Sequence, residues 1–159
     1  MKIRTGLGFD VHAFKPGREL WIGGVLIDHP LGLDGHSDAD VLIHAICDAM
    51  LGAAGLRDIG FHFPDTSSDF KDVDSKILLA RTMEHIRRAG FEPGNVDTVI
   101  VAQQPRLSPY IPLMQATLAK VMQLSPDDIS VKATTTEHLG FTGRSEGIAA
   151  YASVLIVKE

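Results

Sequence analysis

The final apolar stretch of the chain is the feature that most constrains its fold. Residues 148–157 read as a β-strand. The strand is apolar on both sides, through Ala149, Ala150, Ala152, Val154 and Ile156. Because side chains alternate across a strand, such a segment needs cover on both of its faces. We therefore predict that one face packs against the chain itself and the other is buried in a closed symmetric oligomer.

The rest of the chain alternates between strand-like and helix-like segments. Strands are predicted at 7–14, 20–22, 25–27, 96–102, 129–133 and 148–157, and helices at 41–51, 75–89 and from Ser108 onward. Gly23-Gly24 separates two short apolar runs and predicts a hairpin turn. Ser37 and Asp40 resemble a capping box before the first helix. The polar segment 61–74 has no period and predicts a mobile surface loop.

Short connections and the absence of a linker indicate one domain over residues 1–159. The predicted fold class is α+β, with a mixed four-stranded sheet that helices cover on one face and a small β-hairpin beside it. At this length a domain buries about 70% of its unfolded surface without structural metals or disulfides. Any metal site is therefore expected to be functional.

Composition excludes several classes of function. The formal net charge is −5, and the basic residues form no stripe with aromatics, so we expect no nucleic-acid partner. The N-terminus lacks the apolar core of a signal peptide, and no apolar run is long enough to span a bilayer. The only cysteine, Cys47, has no partner for an internal disulfide. We expect a cytoplasmic protein without a membrane partner that acts on a small molecule.

Three side chains form a candidate metal site. Asp10 and His12 are two residues apart on a predicted strand, so their side chains lie on the same face. His44 lies in an apolar helix, where a lone histidine is more often a core residue than a ligand. Together they give the two-His, one-carboxylate set of catalytic zinc, which leaves one coordination position open. Asp10-x-His12 is by itself a weak signal, because many such pairs are only exposed strand residues.

The segment before the helix of His44 has two readings. The turn 34–38 precedes a helix N-terminus, where a phosphate could bind near His36 and Ser37. Alternatively, Ser37 only caps the helix and His36 is solvated. Asp40 and Asp48 lie one turn either side of His44, and we predict that one of them orients its imidazole.

A loop rich in threonine and glycine follows the strand at 129–133. Thr134, Thr135 and Thr136 supply hydroxyls, and the glycines that follow allow close approach to phosphates. Neither a Walker A motif nor a dinucleotide-binding glycine motif is present. Glu137 could hold a magnesium-type ion together with substrate phosphates, or the segment could be an ordinary capped turn.

Five separated motifs occur in order: Gly8 to Phe14, His36-Ser37-Asp38, Asp58-Ile59-Gly60, Phe63-Pro64-Asp65-Thr66 and Lys132 to Gly147. Together they resemble the 2-C-methyl-D-erythritol 2,4-cyclodiphosphate synthase family over essentially the whole chain. The resemblance implies a homotrimer whose sheets face the threefold axis and whose active sites lie between subunits. It also implies zinc at Asp10, His12 and His44, and magnesium or manganese at Glu137.

The resemblance implies a substrate site in two parts. The first part contains Asp10, Val11, His12, His36, Ser37, Asp58, Ile59, Gly60, Phe63, Pro64, Asp65, Thr66 and Ser67. The second part, on the neighbouring subunit, would cradle a cytidine diphosphate group. It contains Ala102, Gln103, Gln104, Pro105, Arg106, Leu107, Ser108, Thr134, Thr135, Thr136, Glu137, Phe141 and Arg144.

The implied reaction converts 4-diphosphocytidyl-2-C-methyl-D-erythritol 2-phosphate into the cyclic diphosphate and releases CMP, a phosphorus-oxygen lyase step of non-mevalonate isoprenoid synthesis. We expect metal-assisted attack of the 2-phosphate on the β-phosphorus, with His36 and Thr135 stabilising the transition state. One alternative is a zinc phosphohydrolase, which would activate water at the same three ligands. Another is a non-catalytic trimer that binds a nucleotide or an isoprenoid diphosphate.

Overall fold

A mixed sheet with helices on one face organises the molecule. The computed structural model describes residues 1–159. The strands are β1 (Lys2–Lys15), β2 (Leu20–Ile22), β3 (Val25–Ile27), β4 (Gly32–Leu33), β5 (Glu92–Val101), β6 (Ile129–Thr134) and β7 (Gly147–Lys158). The helices are α1 (Val41–Ala54), α2 (Ile59–His62), α3 (Ser75–Arg88), α4 (Ile111–Met122) and α5 (Gly140–Gly143). None of the helices combines the length and hydropathy that crossing a bilayer requires.

The sheet has the strand order β4-β1-β7-β5-β6. The strand β7 pairs antiparallel with β1 and with β5, whereas β5 and β6 are parallel. The prediction of a mixed sheet of four main strands is confirmed. The two-residue β4 adds a short edge that the sequence did not reveal, because Gly32 and Leu33 are too few to show a period.

The strand β7 is covered along its whole length on one face, whereas on the other face only its start, at Ala149, is buried. Its residues Ile148, Ala150, Ala152, Val154 and Ile156 are all buried. They join a hydrophobic core of 35 residues, to which α1, α3 and α4 also contribute. On the opposite face Tyr151 and Ser153 are exposed. The predicted helical layer on one face is therefore confirmed.

Two glycines set the contact between β1 and α1. A Cβ atom added at Gly6 would lie 1.9 Å from the carbonyl oxygen of Ala49. One added at Gly8 would lie 1.9 Å from the carbonyl oxygen of Ala45. No other residue type fits at these two positions, so the helix backbone rests directly on the strand. This close approach brings the next two residues on the same face, Asp10 and His12, towards α1.

The faces of β1 are the reverse of those of an ordinary half-buried strand. Its helix-covered face carries glycines and then polar ligands, whereas Leu7, Phe9 and Val11 lie on the uncovered face. Leu7 is 74% exposed, and the Phe9 ring lies 4.9 Å from that of Tyr151 on β7. In a single chain the sheet therefore presents an apolar surface, and most of it comes from β1 rather than β7.

The predicted hairpin is confirmed as β2 and β3, with Gly23 and Gly24 both at positive φ. Its turn is fixed by Asp40, which is fully buried and accepts hydrogen bonds from the backbone N–H groups of Gly23 and Gly24 at 2.9 and 2.7 Å. The Asp40 carboxylate also accepts from Ile43 N–H and is the N-cap of α1. The prediction that Ser37 caps this helix is therefore wrong.

The segment predicted as a loop at 61–74 is only partly irregular. The short helix α2 extends into its beginning, and residues Ser68–Phe70 form a 3₁₀ turn. The backbone is also fixed to the turn before α1, since Asp72 N–H donates to the carbonyl of His36 and Asp38 N–H donates to that of Val73. We call residues 63–74 the connecting loop below.

Candidate functional site

The three predicted metal ligands converge. Asp10 Oδ2 lies 3.0 Å from His12 Nε2 and 3.0 Å from His44 Nδ1, and the two nitrogens are 3.3 Å apart. A tetrahedral zinc bound about 2.0–2.1 Å from each ligand atom would set ligand-to-ligand distances of about 3.3 Å. The donor atoms therefore fit a divalent cation with one position left open. We call Asp10, His12 and His44 the metal cluster.

His12 is held in the tautomer that a metal ligand needs. Its Nδ1 lies 2.6 Å from the backbone carbonyl oxygen of Asp34, which only accepts hydrogen bonds. Nδ1 must therefore carry the hydrogen, and in the neutral imidazole the lone pair is on Nε2, which faces the cluster. The turn at residue 34 thus orients a ligand that is 22 positions earlier in the chain.

The electrostatics of the cluster favour a cation. Burial by itself raises the pKa of Asp10, but hydrogen bonds and positive charge from His12 and His44 outweigh it and lower this pKa to about 2. Burial likewise lowers the pKa of His12, yet the neighbouring carboxylate raises it above the usual value. The ionised carboxylate of Asp10 thus favours positive charge at this site, from a proton on His12 or from a divalent cation that replaces it.

His44 is oriented by two serines, and the predicted role of Asp40 or Asp48 is wrong. The Nε2 atom of His44 lies 3.1 Å from Ser37 Oγ and 3.0 Å from Ser75 Oγ. Asp40 instead binds the hairpin turn, and Asp48 accepts from Ile59 N–H at 2.8 Å. Asp40 and Asp48 lie one helical turn before and after His44, but neither carboxylate contacts the His44 imidazole.

A cavity of about 370 Å³ opens beside the cluster. It brings together these predicted site residues: His12, His36, Ser37, His44, Ile59, Gly60, Phe63 and Asp65. Gly35, Phe70 and Leu78 also line it and were not predicted. Polar groups lie near the metal cluster, while Ile59, Phe63 and Phe70 form an apolar wall. Such a cavity suits a small ligand with one charged end and one apolar side.

The other residues predicted for this part lie around the cavity rather than on its wall. Asp58 caps α2, where its carboxylate accepts from Phe61 N–H at 2.9 Å. The carbonyl of Ser67 accepts from His36 Nε2 at 2.9 Å. Pro64 and Thr66 belong to the connecting loop. Val11 is on the uncovered face of the sheet, so its side chain points away from the cluster.

The family model described as the YgbB family matches residues 3–157. The chain belongs to the YgbB family. Curated relatives named 2-C-methyl-D-erythritol 2,4-cyclodiphosphate synthase share high identity with it. The relative from Parabacteroides distasonis is 66% identical over 156 residues, which cover 98% of this chain and 97% of that one. The relative from Bacteroides thetaiotaomicron is 61% identical over the full length of both chains.

Solved structures agree with this membership of the YgbB family. An IspF from Plasmodium falciparum, described as a CDP complex, is 33% identical and superposes with a TM-score of 0.87, covering 99% of this chain and 97% of that one. The bifunctional IspDF from Campylobacter jejuni is 48% identical with a TM-score of 0.94. That match covers 98% of this chain and 42% of the longer bifunctional chain.

A second cavity of this YgbB chain contains most of the predicted cytidine residues. It measures about 460 Å³ and is lined by Ala102, Gln103, Gln104, Pro105, Arg106, Leu107, Ser108, Ala133, Thr134 and Thr135. It lies where β5 and β6 end, and Ala102 N–H donates to the carbonyl of Thr134 across this end. We call residues 102–108 and 134–137 the cradle.

Four other predicted residues lie beside the cradle without lining its cavity. Thr136 Oγ1 donates to the carbonyl of Leu139, and Glu137 is exposed, with Thr135 Oγ1 at 3.4 Å from its carboxylate. Phe141 is partly exposed, and Arg144 pairs with Glu146 at 2.7 Å. None of the cradle residues lines the cavity at the metal cluster.

Besides these lining residues, sequence reasoning missed three residues that support the first cavity. Ser75 is fully buried beside His44, Asp38 binds Ser75, and Arg18 donates to the carbonyl of Ser37 at 2.5 Å. Asp38 lies within one of the recognised motifs, but no spacing rule connects it to Ser75, which is 37 positions later. Only the folded chain brings these segments together.

Proposed function

We propose that this chain is a metal-dependent cyclodiphosphate synthase of the phosphorus-oxygen lyase class. Its substrate would be 4-diphosphocytidyl-2-C-methyl-D-erythritol 2-phosphate, and its products the 2,4-cyclodiphosphate and CMP. The observation that carries the proposal is the convergence of Asp10, His12 and His44 beside a cavity in a chain of the YgbB family. The names of its relatives and the CDP complexes among the related structures support the same substrate class.

The two cavities together support an active site shared between subunits. The metal cluster and the cradle line separate cavities in one chain, yet a diphosphate substrate has to touch both. The uncovered sheet face, with Leu7, Phe9 and Val11 exposed, is the apolar surface that association would bury. We therefore propose a homotrimer in which these faces meet at the threefold axis, and the cradle of one subunit faces the cluster of its neighbour.

The chemistry requires little more than folding the substrate back on itself. An oxygen of the 2-phosphate forms a bond to the β-phosphorus, and the bond from that phosphorus to the bridging oxygen breaks, so CMP leaves with the electron pair. Zinc at the metal cluster, and magnesium or manganese at Glu137, would supply Lewis-acid polarisation and charge neutralisation at the phosphates. The chain itself supplies binding, orientation and exclusion of water.

His36 would contact the substrate phosphate through one defined atom in this proposal. Its Nε2–H donates to the carbonyl of Ser67, which leaves Nδ1 as the ring nitrogen available to the substrate. Ser37 lies beside it on the cavity wall, and Thr135 offers a hydroxyl from the cradle of the neighbouring subunit.

Product analysis tests the proposal. The purified protein is incubated with the substrate in zinc and magnesium, and the reaction is followed by phosphorus NMR. We expect the cyclic diphosphate and CMP in equal amounts, and a loss of at least about a thousandfold in rate for His44→Ala. His29→Ala, which changes a histidine outside both cavities, should keep the rate. Inorganic phosphate as product would indicate a phosphohydrolase, and tight binding without turnover would indicate a binding protein.

A further inference from the structure

The imidazole of His44 has contacts on both of its nitrogens. Nδ1 faces Asp10 and His12 in the metal cluster. Nε2 lies 3.0 Å from the hydroxyl of Ser75, a fully buried residue at the start of α3. A hydroxyl both donates and accepts, so this contact alone does not set which nitrogen of His44 carries the hydrogen.

Asp38 decides the direction of this hydrogen bond. One of its carboxylate oxygens, Oδ1, accepts a short hydrogen bond from the Ser75 hydroxyl and another from Asp40 N–H at 3.2 Å. The other oxygen, Oδ2, accepts from Ser75 N–H at 3.0 Å. An ionised carboxylate only accepts, so the single hydroxyl hydrogen of Ser75 is directed to Asp38. The Ser75 oxygen is then left to accept from Nε2–H of His44.

We propose that Asp38 and Ser75 are positioning residues that hold His44 in its Nε2–H tautomer. In the neutral imidazole this places the lone pair on Nδ1, at the metal cluster. The arrangement is a carboxylate–histidine–metal triad with one hydroxyl inserted between the carboxylate and the histidine. The inference rests on the proposed function in one respect, because it assumes that the cluster binds a metal ion.

The same hydrogen count leaves Ser37 available for the substrate. Its hydroxyl oxygen accepts from Ala39 N–H at 3.2 Å and lies 3.1 Å from His44 Nε2. Since Nε2 already carries a hydrogen, the Ser37 hydroxyl has no acceptor at His44 and is left to donate into the cavity that it lines. Asp38 and Ser75 thereby serve both the metal ligand and the phosphate position.

Asp38 and Ser75 also connect the end of the connecting loop to the metal cluster. Ser75 directly follows this loop, and Asp38 N–H donates to the carbonyl of Val73. Asp38 therefore binds the chain on both sides of Asp74. A short path of hydrogen bonds therefore links the loop to His44, without any direct contact between the loop backbone and the metal cluster.

The test compares three variants of the full-length protein, using zinc as the probe. Asp38→Ala removes the acceptor, so the Ser75 hydroxyl becomes free to donate to Nε2 of His44. Ser75→Ala removes the relay, although Ser37 can still accept from Nε2. Asp74→Ala is the matched control, because Asp74 is the N-cap of the same helix but does not touch His44. Thermal unfolding confirms that each variant is folded.

Two readouts are expected to move together. Zinc dissociation constants, measured by chelator competition, should rise about 10- to 100-fold for Asp38→Ala, less for Ser75→Ala and under about twofold for Asp74→Ala. Nitrogen-15 NMR of the zinc-bound protein should show the Nε2–H of His44 protected from exchange with water in the wild type, because the Ser75 oxygen accepts from it. In Asp38→Ala the Ser75 hydroxyl is free to turn, and this protection should be lost. A purely structural role of Asp38 would leave the protection unchanged.

The outcomes separate this inference from the proposed function. If the wild type binds zinc and a folded Asp38→Ala variant keeps both the affinity and the protection of Nε2–H, the positioning role is overturned. If Asp38→Ala does not fold, an unchanged affinity in Ser75→Ala overturns it equally. If the wild type binds no zinc, the proposed metal site fails, and the positioning role, which assumes that site, is overturned with it.

Discussion

The metal cluster and the cradle are built in opposite ways. The ligands of the cluster project from β1 and α1, the two elements that the glycines of β1 hold in direct backbone contact. The cradle consists of segments beyond the ends of β5 and β6, and Thr134, Thr135 and Glu137 are exposed in a single chain. A change in the cluster region therefore affects folding and chemistry together, whereas a change in the cradle should affect chemistry alone.

The strongest test of this difference is Gly8→Ala. The added methyl group would lie 1.9 Å from the carbonyl oxygen of Ala45, so α1 has to move away from β1. We expect the free energy of unfolding to fall by about 3 kcal/mol, the upper part of the usual cost of overpacking. Because His44 moves with α1, zinc affinity should fall as well. Urea unfolding and zinc titration of the same preparation measure the two effects.

Gly52→Ala in the same helix is the matched control. Gly52 is exposed, and nothing lies within 4 Å of a Cβ added there. Alanine has the higher helix propensity, so the free energy of unfolding of this variant should rise by about 0.5–1 kcal/mol, and its zinc affinity should be unchanged. If Gly8→Ala were as stable as Gly52→Ala, the close contact of strand and helix could not be what positions the ligands.

A smaller effect is expected from Asp10→Asn in the metal-free protein. The pKa of Asp10 is lowered from 3.8 to about 2 in the folded chain, so the unfolded chain binds this proton first as the pH falls. The carboxylate therefore stabilises the fold fully above pH 3.8, and this contribution is lost as the pH falls towards about 2. Asp10→Asn should cost about 2 kcal/mol near pH 5 and progressively less below pH 4.

Asp48→Asn should show the opposite trend. Burial raises the pKa of Asp48, so in the wild type this group reduces stability as the pH rises through its titration. The free energy of unfolding of Asp48→Asn should therefore rise relative to that of the wild type as the pH rises. Urea unfolding in the presence of a chelator measures this difference. If Asp10→Asn and Asp48→Asn changed stability with pH in the same direction, the distinction between a charge-paired carboxyl group and one whose pKa is set mainly by burial would be wrong.

The strands, the helices and the shared face of Asp10 and His12 were predictable because local patterns encode them. Alternation places Asp10 and His12 on one face of a strand, and both features are confirmed. The reversal of the strand faces was not predictable from alternation alone. The sequence of β1 shows apolar residues on one side, but only the packing of α1 on Gly6 and Gly8 reveals that this apolar side is the uncovered one.

The supporting residues were not predictable for a different reason. Asp40 and Asp48 have the helical spacing that suggests contact with His44, yet buried backbone N–H groups elsewhere take up their carboxylates. Ser75 reaches His44 from 31 positions away, and local sequence holds no signal at that range. Residues 102–108 of the cradle likewise follow no periodic rule, and only the resemblance to the family singled them out.

The smallest expected effect on the fold is that of Glu137→Gln in the cradle. The Glu137 carboxylate is exposed and has only a long contact with the Thr135 hydroxyl. The free energy of unfolding should therefore change by under about 0.5 kcal/mol. If Glu137 holds a magnesium ion, the cyclisation rate should still fall about tenfold at low magnesium, and added magnesium should partly restore it. Glu84→Gln on α3 is the control and should change neither quantity. Equal losses of stability in Glu137→Gln and Gly8→Ala would show that cradle and cluster are not separable. An unchanged magnesium dependence would instead remove Glu137 as the ligand.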